Sequence, residues 1–201
     1  MGRNRGVALL AALGSVTLFG SAAVAGPFMP GGERTTQPVG HYEFCQKRPA
    51  ECDQATQKRA PIELTRELWS RIVDINNVVN ATVTPRTDMQ IWGVEERWSY
   101  PVNGVGDCED YALEKRRLLM KAGMPAGSLL ITVVRQPNGD GHAVLTARTS
   151  LGDFVLDNLE PRVLAWQDTE YQFLKRQSER NSGVWVSIED DRQMLVGSVR
   201  N

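Results

Sequence analysis

The residues with the clearest chemical capacity stand together at Gly106-Asp107-Cys108-Glu109-Asp110-Tyr111. A thiol attacks a carbonyl carbon usefully only as thiolate, and the N-terminal turn of a helix favours that form through its free amides and macrodipole. Asp107 is a natural N-cap, and its spacing to Asp110 is that of a capping box, which places Cys108 in the first turn. The neighbouring carboxylates oppose a second negative charge, so a protonated histidine or a bound cation must offset them. Three acids around one thiol exceed what capping requires, and oxygen ligands of this kind suit a hard cation.

The sequence has two histidines, and only His142 follows the cysteine. It opens an apolar run directly after the turn Pro137-Asn138-Gly139-Asp140-Gly141, while Asp157 closes the next run. If the two runs pair as a hairpin, His142 and Asp157 come within side-chain reach. Cys108 as nucleophile, His142 as base and Asp157 as the group fixing the imidazole tautomer then form a triad for acyl chemistry. The Cys108 amide is the natural oxyanion donor, with Gln90, Trp98, Asn76, Asn77 and Asn80 as side-chain candidates. Trp92 and Trp98 are candidate cleft walls.

The elements that must position these residues follow from pattern. Leu64, Leu68, Ile72, Ile75 and Val79 recur at helical spacing and predict a helix from Pro61 to about Asn80, followed by a loop over 82–93. Tyr111, Ala112, Leu118, Leu119 and Ala122 give the cysteine helix its apolar stripe, and Gly123 with Pro125 stops it. Strands are expected at 128–135, 142–148 and 154–157, then a polar helix at 172–180 and a last strand at 184–188. Helices followed by an antiparallel meander make the class α+β.

The chain has 201 residues, 41% hydrophobic and 23% charged, enough for one domain with a core of its own. Arg3 and Arg5 precede an acid-free apolar run that ends in Ala23-Val24-Ala25, the layout of a signal peptide over residues 1–25. That run is short for a membrane anchor, so no stable membrane insertion is expected after its removal. Losing the two arginines moves the net charge from −1 to −3, and no basic run offers a nucleic-acid footprint. Export to the periplasm or medium favours disulfides. Cys45 and Cys52 suit a local bridge within an irregular lead-in over 26–60, which leaves Cys108 as the odd thiol. A zinc site from His41, Cys45 and Cys52 lacks a fourth ligand.

Gly106–Ala112, His142-Ala143-Val144-Leu145 and Leu156-Asp157-Asn158, with Arg97-Trp98-Ser99-Tyr100-Pro101 ahead, resemble the bacterial transglutaminase-like cysteine peptidases. The resemblance covers roughly residue 61 to the C-terminus in its order of elements. It implies a papain-like α+β domain over 61–201, with Cys108, His142 and Asp157 as the triad and a protein or peptide as substrate. The best-known members of that family are calcium-dependent periplasmic proteases that clip surface adhesins, and the resemblance points to Asp107 and Glu109 for the calcium. No organic cofactor is expected. Two alternatives share the same residues: an acyl transferase using an amine in place of water, and a non-catalytic, calcium-responsive binding module.

Overall fold

A computed structural model describes residues 1–2, 26–53 and 61–192. The expected signal segment lies almost wholly outside the described residues. None of the described helices is long and apolar enough to cross a membrane.

The class is α+β, as expected. A seven-stranded antiparallel sheet has the order β1-β9-β8-β4-β5-β6-β7. Its strands are β1 (Gly31–Thr35), β4 (Leu129–Arg135), β5 (Gly141–Thr149), β6 (Gly152–Leu156), β7 (Leu164–Ala165), β8 (Gln172–Ser178) and β9 (Asn181–Ile188). The helices are α1 (Val39–Lys47), α2 (Pro49–Cys52), α3 (Arg66–Thr82), α4 (Asp88–Trp92) and α5 (Cys108–Lys121). A small parallel pair, β2 (Thr84–Pro85) with β3 (Val105–Gly106), leads the chain into α5.

Helix α5 lies against β4 and β5, and its apolar face joins Ile72 of α3 and Leu129, Ile131, Leu145 and Leu156 of the sheet in one core. These side chains are almost wholly excluded from water, and each contributes about 1.5–3 kcal/mol relative to exposure. The cysteine at the start of α5 is thus carried by a helix anchored in this buried core. The helix ends where expected: Gly123, at φ 97°, follows its last turn.

Four expectations change. The described part of the 26–60 segment, residues 26–53, is not an irregular lead-in, because β1 pairs with β9 and α1 buries Gly40, His41 and Phe44. Helix α3 starts five residues later than Pro61, because Thr65 caps it by accepting from the Leu68 amide (3.1 Å) while Ile62 bridges to Thr149. The loop over 82–93 contains α4, set by a capping box between Thr87 and Gln90 and closed by Gly93 at φ 73°. Residues 172–180 form β8 and the turn after it rather than a helix. Both Arg176 and Gln177 are buried there, and bulges on either side of the β4–β8–β9 ladder break the alternation that marks a strand.

Candidate active site

Cys108 is the first residue of α5, as its neighbours predicted, and is half-buried. It is the free cysteine among the described residues, since Cys45 and Cys52 are joined in a disulfide with Cα atoms 5.6 Å apart. The capping box expected over Asp107 and Asp110 is absent. Asp107 Oδ2 accepts instead from the Asp88 amide (3.2 Å), and Asp110 Oδ1 accepts from the Ser99 amide (2.8 Å). Both acids therefore tie α5 to the segment over 88–99 that precedes it.

His142 and Asp157 come together as predicted, though diagonally. Leu145 faces Leu156 in the β5–β6 register, which continued by one step sets Asp157 opposite Val144, two residues along from His142. His142 Nε2 lies 2.8 Å from Asp157 Oδ1, and both side chains are buried. With Nε2 spent on the carboxylate, Nδ1 is the nitrogen left for a substrate or thiol proton. Burial alone would raise the Asp157 pKa, but bonds from His142, Tyr171 and the Leu159 amide hold it below the ordinary value.

Burial first, and then the Glu109 charge, push the Cys108 thiol pKa well up, while the Ala143 amide, on the residue after His142, works the other way. The side-chain hydrogen bond of the thiol goes to Glu109 Oε2 (3.1 Å), and among the described residues none is made to His142. Proximity of helix start and strand start is present, and the proton is directed toward the acid.

That acid belongs to a cluster. Asp88, Asp107 and Glu109 place one carboxylate oxygen each within 4.8 Å of one another. Asp88 Oδ1, Asp107 Oδ1 and Glu109 Oε1 are buried without a hydrogen-bond partner among the described residues. Burial and mutual repulsion raise Glu109 to about 9. Asp88 rises to about 6, burial again first. Bare buried carboxylate oxygens converging from two helices are what a hard cation needs, with carbonyls and water completing its shell. The residues present fit Ca²⁺. Asp88 was missed by sequence reasoning because it comes from α4, although the Thr87–Gln90 capping box was there to announce that helix.

The side-chain oxyanion candidates are mostly committed elsewhere. Gln90 closes its capping box, Asn76 donates to the Pro161 carbonyl and Asn80 to that of Asp157, and Asn77 is exposed. Trp98 donates to Glu96 (2.6 Å) and packs edge-on against His41 in the core. The indole N–H of Trp92 is buried without a partner among the described residues, under a stacked Arg97 guanidinium.

His41, Cys45 and Cys52 also bring their ligand atoms within 4.8 Å of one another. The two sulfurs are bonded to each other, and both ring nitrogens have hydrogen-bond partners. Trp185 Nε1 donates to its Nδ1 (3.2 Å), and the Gln177 amide nitrogen lies 3.1 Å from its Nε2. Burial and then the Arg116 charge lower its pKa to about 3.

A family model described as bacterial transglutaminase-like cysteine proteinase matches residues 31–193. Among solved structures, LapG of Legionella pneumophila is 27% identical with a TM-score of 0.50, over 59% of this chain and 68% of that one. An EGTA-treated LapG is 25% identical with a TM-score of 0.50, over 59% and 67%. A calcium-bound LapG is 24% identical with a TM-score of 0.47, over 72% and 86%. No curated protein matches the chain.

Proposed function

The chain belongs to the bacterial transglutaminase-like cysteine proteinases, and from that premise we propose an exported, calcium-dependent peptidase in which Cys108, His142 and Asp157 are the triad. The observation that carries the triad is the 2.8 Å bond between His142 Nε2 and Asp157 Oδ1, with Cys108 at the start of the helix that packs on β5.

His142 takes the thiol proton at Nδ1 as Cys108 Sγ attacks the scissile carbonyl of a protein substrate. The amide at the start of α5 faces the developing oxyanion. As the tetrahedral species collapses, His142 gives its proton to the leaving amine and a thioester remains. Water then attacks the thioester with His142 again as base, releasing the acid and restoring the thiol. Asp157 holds the ring in the tautomer that leaves Nδ1 free and stabilises the imidazolium.

Asp88, Asp107 and Glu109 would hold the calcium. Its positive charge would keep those carboxylates ionised and offset their opposition to a thiolate at Cys108. The signal over 1–25 and the disulfide together support a periplasmic or secreted site of action.

A Cys108→Ala variant tests the reading. Beside the parent, it should show no cleavage of exported proteins and no labelling by a thiol-reactive peptide probe, with an unchanged melting temperature. Equal turnover by the two proteins would refute it.

A further inference from the structure

Asp157 sits where several elements converge. Its Oδ1 accepts from His142 Nε2 (2.8 Å) and from the Leu159 amide (3.0 Å), and its carbonyl accepts from Asn80 of α3 (2.8 Å). Oδ2 accepts from one side chain, the Tyr171 hydroxyl at 2.5 Å. The Tyr171 ring also lies beside the imidazole, with centroids 5.6 Å apart. We infer that Tyr171 is a positioning residue of the active site, holding the Asp157 carboxylate in the orientation His142 requires.

The inference rests on the triad reading and adds a fourth residue to it. A carboxylate rotates easily about its terminal torsion unless both oxygens are engaged. Among the described residues, Oδ1 is fixed by two donors and Oδ2 by the phenol alone. The surroundings make that donor more valuable. A cavity of about 310 Å³ reaches Asp157 and Tyr171, and Glu160, Asp168 and Glu170 line it against one Arg162. This acidic wall works against an ionised Asp157, whereas the His142 bond, the phenol donor and the charge of buried Lys115 work for it.

Tyr171 is itself held from behind. Arg192 Nη2 donates to the Tyr171 carbonyl (2.5 Å), and Nη1 donates to those of Trp166 (2.8 Å) and Thr169 (3.2 Å). The guanidinium lies over the rings of Trp166 and Phe173 and is paired with Asp190. Asp190 Oδ2 in turn accepts from the Phe173 amide (2.9 Å). The residues on both sides of Tyr171 are therefore fixed to the end of the described chain. A phenylalanine would keep the same ring contacts and lose only the bond to Asp157, so the hydroxyl can be tested by itself.

The experiment is a double-mutant cycle on the full chain with calcium present, using one fluorogenic peptide selected for cleavage by the parent. Tyr171→Phe should lower kcat about tenfold, an effect of about 1.4 kcal/mol, with KM changed less than about twofold. Asp157→Asn should lower kcat on the order of a thousandfold. Adding Tyr171→Phe to Asp157→Asn should then cost less than about twofold more, because the carboxylate it orients is gone. In proton NMR spectra, the low-field resonance of the proton between His142 and Asp157 should move or broaden in Tyr171→Phe, while the melting temperature stays near the parent's. An equal loss in both backgrounds, or no loss in the parent background, would overturn the role of Tyr171 and leave the triad standing. Full activity in Asp157→Asn would overturn the triad and this role with it.

Discussion

Two clusters in this protein look alike as lists of ligands and differ in how their atoms are used. Each brings three metal-capable side chains within 4.8 Å. Around His41, the sulfurs are bonded to each other and both ring nitrogens lie within hydrogen-bond distance of Gln37, Trp185 or Gln177. Around Cys108, each of Asp88, Asp107 and Glu109 keeps one buried oxygen with no partner among the described residues. A satisfied buried cluster stabilises a fold, whereas an unsatisfied one is tolerated where a ligand completes it. The difference fits a stabilising part for the first and supports the proposed calcium-binding part for the second.

The comparison can be broken most sharply at Glu109. Glu109→Gln should lower kcat/KM about 100-fold at saturating calcium and erase any calcium-dependent rise in melting temperature. Full activity with an intact calcium response would remove the acidic cluster from the mechanism. In the parent, calcium at about 100 times its Kd should stabilise the fold by about 2.7 kcal/mol, and excess EGTA should reverse this in a thermal melt. The His41 cluster should not take part, so Cys45→Ser with Cys52→Ser should leave that increment unchanged. The same pair of substitutions should cost about 2 kcal/mol in urea unfolding, because the bridge closes a short loop, while kcat of the folded protein is retained.

The smallest effect is a slope. His41 has a folded pKa of about 3 against an ordinary 6.5, so the unfolded chain binds the extra proton first as pH falls. Its contribution to stability is complete above about 6.5 and is lost toward 3, at no more than about 1.4 kcal/mol per pH unit. Urea titrations between pH 7 and 5 should show this slope in the parent and a flatter one in His41→Gln. Equal slopes would mean that the imidazole is not the group that titrates.

The triad candidates were legible because each has a local mark: a capping residue before Cys108, a glycine-rich turn before His142, and a strand end at Asp157. Asp88 had none that pointed at Cys108, since linear order carries no distance between α4 and α5. Tyr171 was hidden by the error at 172–180. A helix there gives no reason for the preceding residue to reach Asp157, whereas the return strand β8 beside β4 brings it back to β5. The lead-in was misread because glycine and proline concealed the inward spacing of His41 and Phe44. The fold class survived these errors because it rests on the apolar faces of α3, α5 and β4 to β6, where periodicity is clean.

The pairing of β1 with β9 joins nearly the first and nearly the last described residues of the domain. A strand made early must therefore wait for a partner made last, and such non-local closure is slow. An exposed apolar strand would be a hazard throughout that interval. Gly31-Gly32-Glu33-Arg34-Thr35 has almost nothing adhesive in it: two glycines, one charge of each sign and no large apolar side chain. It is poor at pairing with strangers and adequate for closing an edge, which lets the domain finish itself without first joining its neighbours.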